Sequence, residues 1–272
     1  MTQPGMMDET PPDRAAGLDR ALLLGAPVVG FLLLLAVWAL GGWLIARNPA
    51  TASFAGLGPL PALTRLARLL ADGSLFHAIL PSFYRVGCGL FWAVAIGVPV
   101  GTLVGRSRLF REMTHLPFQL LRMISPLAWM PVAILLFPNW DGAIIFLIAA
   151  ASVWPVMFST ANGLRKLDPD WFKVAHNLGA GFRHILGSVV FPAIAQDILA
   201  GIRLALGIAW VVLVPAEYLG VTSGLGYAIN DARDTLDYDR LAAFILVIGI
   251  IGFGLDALLQ QLVHRFAWTH HG

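Results

Sequence analysis

Long apolar runs separated by short polar breaks make up most of this chain. A membrane-crossing helix needs about 20 mostly apolar residues. Six stretches meet that requirement: residues 22–46, 83–104, 116–137, 143–164, 198–219 and 241–263. The first closes on Arg47, Asn48 and Pro49. The third contains Pro117, Pro126 and Pro131. Proline removes a backbone donor and clashes with the preceding turn, so a bent or interrupted helix is predicted there. Between the first two spans, residues 60–71 place Leu63, Leu66, Ala67 and Leu70 on one face, with Arg65, Arg68 and Asp72 elsewhere. That segment is too short to span and reads as an amphipathic helix at the interface. Residues 138–141 form a tight turn, and residues 220–240 a polar loop.

The longest polar interruption is residues 166–192. Asp168-Pro169-Asp170 is a helix start, with Asp at the N-cap, Pro at the first helical position and a negative charge near the positive end of the dipole. Trp171, Val174, Ala175 and Leu178 then fall on one face, and Gly179 stands where a C-terminal cap is expected. Phe182, Ile185, Leu186, Val189 and Val190 form a second such pattern, which Pro192 is expected to end. Two short amphipathic helices therefore meet at residues 179–181. Their bland reading is an interfacial helical hairpin. The functional one is a helix that offers its exposed face to a groove in a partner protein.

Composition agrees with a polytopic membrane protein. The chain is 58% hydrophobic and 12% charged, against about 45–50% and about 25% for soluble domains. The net charge of +2 is too small to suggest nucleic-acid binding. The single cysteine, Cys88, excludes an internal disulfide and a cysteine metal site. His176, His184, His264, His270 and His271 show no ligand spacing. No phosphate-binding G-x-x-x-x-G-K-[ST] is present; Gly97 to Thr102 lies mid-span and lacks the lysine. Residues 1–20 read as a disordered cytoplasmic tail. Asp8, Glu9, Asp13 and Asp19 spoil a secretory n-region, and the apolar run that follows is too long for a signal h-region, so an uncleaved first span is expected although Ala50-Thr51-Ala52 looks like a cleavage site.

Lys and Arg in the short loops set orientation. Arg106, Arg108, Arg111, Arg165, Lys166, Lys173, Arg183 and Arg265 fall on one side, assigned to the cytoplasm with both termini. Arg47, Arg65 and Arg68 break the rule. Polar groups at membrane depth are costly and mark function by default. Glu217 reads as a structural carboxyl or as a gate in the pathway. Arg122 and Arg85 read as snorkelling cations or as anion attractors. Arg203 is expected to anchor, and Asp256 to be a structural acid. Ser125, Pro126, Trp129 and Pro131 bound the best candidate cavity wall, because prolines free backbone groups that can line an aqueous path.

The residues also resemble a known family. ABC importer permeases carry a loop of pattern EAA-x3-G-x9-I-x-L-P. Here Lys173-Val174-Ala175 is followed at that spacing by Gly179, then by Val189, Val190, Phe191 and Pro192. Lys173 stands where the pattern has Glu, a charge reversal. Ser125-Pro126-Leu127-Ala128-Trp129-Met130-Pro131 is similar to the SPLAW-x-P segment of nitrate and bicarbonate permeases. Gly201-Ile202-Arg203 through Trp210, Pro215-Ala216-Glu217-Tyr218-Leu219-Gly220 and Ser223-Gly224-Leu225-Gly226-Tyr227 resemble further motifs of the nitrate/sulfonate/taurine/bicarbonate group.

That resemblance implies an all-α integral membrane protein with six transmembrane helices, of the type I ABC importer permease (MetI-like) architecture. It implies residues 21–58 as first helix and periplasmic linker, 59–73 as interfacial helix, 80–266 as permease core containing coupling loop 166–192, and 267–272 as a cytoplasmic tail. It further implies a non-catalytic permease subunit in a bacterial inner membrane that imports a small anion. The solute would be nitrate or bicarbonate, or else a sulfonate or taurine. Expected partners are a second permease copy in a homodimer, cytoplasmic ABC ATPase subunits that hold ATP and Mg, and a periplasmic or lipid-anchored substrate-binding protein. This chain would bind no cofactor. Asp170, Trp171, Lys173, Val174, Ala175, Leu178, Gly179 and Pro192 are the expected ATPase-coupling residues. Arg122, Ser125, Pro126, Trp129, Pro131 and Glu217 are the expected pathway residues. The alternatives are an ion-coupled secondary transporter, which would want intramembrane ionisable pairs and repeats, and an integral membrane enzyme.

Overall fold

The computed structural model describes residues 14–268, which are helical apart from short connections. The helices are α1 (Arg14–Arg47), α2 (Pro59–Ala71), α3 (Ser74–Arg106), α4 (Arg108–Met123), α5 (Met130–Leu136), α6 (Trp140–Lys166), α7 (Pro169–Asn177), α8 (Phe182–Ile185), α9 (Phe191–Gly220), α10 (Leu225–Asp234) and α11 (Tyr238–Trp268). Five of them are long and apolar enough to cross a membrane, and α4 with α5 makes a sixth if the pair is one span. That pair is bent by 89°. The bend sits at the expected prolines: Ile124 is extended, Ser125 is not helical, and Pro126–Trp129 forms a single 3₁₀ turn before α5.

Helix α6 is the axis of the bundle. Small residues on α3 recur every fourth position, Gly89, Ala93, Gly97, Gly101 and Gly105, and so share one face. A Cβ at Gly89 would overlap Ile148, one at Gly97 would press on Val156, and one at Gly101 would meet the Met157 carbonyl. Lipid offers little hydrophobic drive between helices, so close backbone approach through small residues is the usual means of packing them. On the opposite side Gly201 of α9 backs onto Ser159 and Pro155, and Ser152 donates to the Ala205 carbonyl at 3.1 Å. The main core gathers Val86, Met130, Ala133, Ile144, Leu147, Ile148, Ala209, Leu213 and Ala216 from α3, α5, α6 and α9. A second core joins Leu69, Leu75, Leu225, Ala228, Phe244 and Val247 from α2, α3, α10 and α11.

Helix α1 stays outside both cores. From Gly25 to Arg47 no residue is buried, and the helix is held through Trp38, whose indole Nε1 donates to the Leu57 carbonyl at 2.9 Å, and through Gly42 against Gly58.

Four expectations need revision. Residues 14–20, expected in an irregular tail, are the start of α1; residues 1–13 and 269–272 lie outside the described residues. Residues 220–240 are not merely a polar loop, because α10 buries Leu225, Ala228 and Ala232 on one face. Helix α4 begins at Arg108 rather than near residue 116. Pro192 does not end a helix. The backbone runs from α8 through a π-helical turn, Leu186–Val190, into α9, and Pro192 lies in the first turn of α9. The wider π turn before it accommodates a residue that cannot donate and whose ring crowds the preceding turn.

Candidate functional site

Three places carry the polar chemistry. The first is a buried lock where α3, α6, α9 and the start of α10 converge. Arg85, 2% exposed, donates from Nε to Asp141 at 2.8 Å and from Nη1 to Glu217 at 2.6 Å. It also donates to the Ser223 carbonyl at 2.8 Å and the Ser223 hydroxyl at 2.9 Å. Glu217 is fully buried; besides Arg85 it accepts from the Ser82 hydroxyl at 2.9 Å and from the Gly226 amide at 2.9 Å. Ser82 in turn accepts from the Leu225 amide at 2.9 Å. An ion pair in such a place is tolerable only when its remaining donors and acceptors are also satisfied, and here they are.

This geometry explains two glycines. Gly224 has φ +110, a conformation side chains rarely adopt, and a Cβ there would fall on the Glu217 carboxylate. A Cβ on Gly226 would strike the Val214 carbonyl. The P-A-E and S-G-L-G segments are therefore two halves of one contact. Asp141, the outermost member, has a 52% exposed side chain and lies in the first turn of α6, where the helix dipole favours an anion.

The second place is a cavity of about 660 Å³ between the end of α4, the 3₁₀ turn, α6 and α9. Arg122, Pro126 and Trp129 line it together with Phe146, Trp154 and Phe158. The Arg122 guanidinium lies over the Phe158 ring, 5.2 Å from its centroid. Trp154 meets Phe118 edge-on at 5.6 Å and stacks with Phe158 at 6.5 Å, tying α4 to α6.

The third place is the connection from α6 to α9. Helix α7 is closed by a Schellman motif: Gly179 has φ +77, and the Ala180 amide donates to the Ala175 carbonyl at 3.0 Å. Trp171 is 52% exposed, Val174 58% and Leu178 82%, so one apolar face of α7 faces outward. Ala175 is turned inward at 9%. Lys173 does not stand alone; its Nζ reaches Asp170 at 2.6 Å, one turn back.

The expected pathway residues thus separate. Arg122, Pro126 and Trp129 come together at the cavity; Ser125 and Pro131 flank it without lining it. Glu217 lies elsewhere, in the lock, with its acceptors occupied, so the gate role expected for it finds no geometric support. Arg85 belongs to the same lock, and neither of its expected roles, snorkelling or attracting anions, describes it. Arg203 and Asp256 pair at 2.8 Å and tie α9 to α11. The expected coupling residues 170–179 share one capped helix, while Pro192 sits beyond the π turn in α9. Sequence reasoning missed Ser82, Asp141 and Ser223. The available signal was Ser82 and Arg85 three residues apart on one face of a span, opposite the P-A-E acid. Among the described residues no three His, Cys, Asp or Glu side chains converge as metal ligands would.

Comparison with known proteins gives one answer. The family model described as "Binding-protein-dependent transport system inner membrane component" matches residues 93–268. The bicarbonate transport system permease protein CmpB of Synechococcus elongatus is 34% identical over 264 residues, covering 91% of this chain and 91% of its own. The putative aliphatic sulfonates transport permease protein SsuC of Bacillus subtilis is 34% identical over 207 residues, covering 76% of this chain and 75% of its own. Among solved structures, an inward-facing MetNI methionine ABC transporter chain aligns with a TM-score of 0.60 at 16% identity, over 71% of this chain and 95% of that one, which speaks to the fold alone. With membrane-length helices packed in that fold and a family match over most of its length, the chain belongs to the binding-protein-dependent transport system inner membrane components, the permeases of ABC importers.

Proposed function

We propose that this permease imports a small anion by alternating access, and that α7 is the helix through which a separate cytoplasmic ATPase drives it. The observation that carries the reading is the outward apolar face of Trp171, Val174 and Leu178 on a short capped helix. Burying about 25 cal/mol per Å² of apolar surface rewards a partner that covers such a face. With positive residues concentrated at that end, it is the cytoplasmic side, and both termini lie there in a bacterial inner membrane. ATP binding would close an ATPase pair, carry α7 inward and turn the cavity toward the periplasm, where a binding protein releases solute. Hydrolysis would return the cavity to the cytoplasm. ATP and Mg belong to the ATPase, and a second permease copy completes a homodimer.

The solute is bicarbonate or nitrate, or else a sulfonate or taurine. Two observations support this: the likeness to a bicarbonate permease over 91% of the chain, and the SPLAW-x-P segment that lines the cavity through Pro126 and Trp129. The likeness to a sulfonate permease keeps the second group in view. Uptake of labelled bicarbonate, nitrate and taurine into proteoliposomes holding permease, ATPase and cognate binding protein tests the reading. Vanadate-sensitive uptake of one anion is expected; no uptake of any would remove it. Gly179→Asp meets nothing within 4 Å but strains the φ +77 cap, so its cost falls on the end of α7 and should leave the bundle folded. It should uncouple hydrolysis from uptake and weaken ATPase association. If both stayed unchanged, α7 would not be the coupling helix.

A further inference from the structure

The cavity beside Arg122 does not stop at its own floor. Its α6 wall is a stripe at four-residue spacing, Phe146, Ala150, Trp154, Phe158 and Asn162. Ser159 and Asn162 also line a second cavity, of about 500 Å³, which continues to Arg165, Lys166 and Asp197. The two cavities share these side chains and so form one groove along α6. It runs from aromatic walls to a polar junction to a cationic end. From Phe158 to Lys166 the groove drops about 12 Å, at about 1.5 Å per residue.

The cations along this groove differ from those that tie the helices of the bundle together. Arg65, Arg85, Arg203 and Arg240 each hold a carboxylate at 2.6–2.8 Å. Within the groove only Lys166 is so engaged, with the one acid present, Asp197, at 2.6 Å. Among the described residues, Arg122 and Arg165 make no ion pair and no side-chain hydrogen bond. Arg122 rests one face on the Phe158 ring, which leaves its in-plane N–H donors available. A guanidinium presents those donors as a fork that matches two oxygens of one oxoanion. Bulk water occupies about 30 Å³ per molecule, so the first cavity admits a small oxoanion with most of its hydration.

We propose that Arg122 and Arg165 are successive stations for an oxoanion, with Ser159 and Asn162 handing it from one to the other. Carbonate, nitrate and sulfonate groups share the paired oxygens that this track recognises. The proposal rests on the anion-import reading above and names the residues that would execute it. Arg122 takes the anion as it leaves the aromatic part of the cavity. Arg165, beyond the junction, draws it toward the end that carries α7. Both stations are exposed, so water screens the attraction and binding stays reversible, as passage requires.

The test uses the complete transporter in proteoliposomes, with labelled bicarbonate, nitrate and taurine as probes. Asn162→Asp is nearly isosteric and exposed in the groove, and it puts a negative charge at the junction. It should cut uptake of the transported anion at least about tenfold, because a like charge repels the anion where it must pass, while the amount of assembled complex in the membrane stays that of the parent. Arg122→Gln should do the same and Arg122→Lys should recover part of the uptake. Parental uptake rates in both Asn162→Asp and Arg122→Gln would overturn the track. So would a failure of Arg122→Lys to exceed Arg122→Gln, since a merely packing role would not follow the charge. If the parent complex itself imports none of the three probes, the anion reading fails first, and the two failures are distinguishable.

Discussion

The two ends of the bundle handle charge in opposite ways. At one end Arg85 is 2% exposed and directs its donors to two carboxylates, a hydroxyl and a carbonyl, while Glu217 is wholly enclosed. At the other, Lys173 reaches one carboxylate, and both side chains of that pair are about 70% exposed, at 73% and 70%. The first arrangement ties four segments of chain together; the second spans a single helical turn. Removing one partner from a buried pair leaves an uncompensated charge and costs several kcal/mol, whereas an exposed pair is worth at most about 1 kcal/mol. One end is therefore built to stay as it is. The other offers apolar surface and mobile charge to something else.

The largest effect expected from this contrast is at the lock. Glu217→Ala should destabilise the folded permease by about 3–5 kcal/mol, read as lost thermal stability in detergent. Arg85→Met with Glu217→Leu should restore much of that loss, because neither charge is then left buried alone. A loss below about 1 kcal/mol for the single variant would erase the distinction from a surface pair. Next comes the α3 stripe. Gly101→Leu should cost about 1–3 kcal/mol by forcing α3 from the Met157 carbonyl. Gly87→Leu, on the same helix but with nothing within 4 Å, should leave thermal stability unchanged. Equal effects at the two positions would mean that α3 and α6 do not depend on close approach. The smallest effect on the fold is expected at α7. Lys173→Glu puts like charges on adjacent turns with Asp170, at a cost of about 0.2–0.5 kcal/mol, which should be invisible in thermal unfolding. Its consequence should appear instead in affinity for the ATPase, measured by titration of the purified subunits. A marked loss of thermal stability would show that this end, too, is internal structure.

How much of this was legible in the sequence differs element by element. The spans followed from run length, and the break near Ser125 from its prolines, because both effects act within a few residues. Helix α7 followed from its cap, its apolar spacing and Gly179 for the same reason. Helix α10 was missed although Leu225, Ala228 and Ala232 carry its period; Asn230, Asp231, Arg233 and Asp234 make so short a segment read as polar, and what covers its apolar face is α11, far along the chain. Glu217 could be singled out as costly in an apolar run. Its partners lie 132 and 135 residues away in sequence, at Arg85 and Ser82, and no local rule connects them.

The same division holds for the candidate site. Arg122 and Trp129 could be named from the chain because proline and charge at membrane depth are local oddities. Asn162 and Arg165 could not, since one reads as a surface amide and the other as a loop cation. The sequence alone determined that this protein is a helical membrane protein with a proline-broken span and a capped helix between two others; hydrophobic length, proline sterics and helix capping are local properties. Tertiary structure decided which charges are spent and which are free. That depends on distance in space: Arg85 is neutralised by residues from two other helices, while Arg122 lies over an aromatic ring and, among the described residues, pairs with no carboxylate.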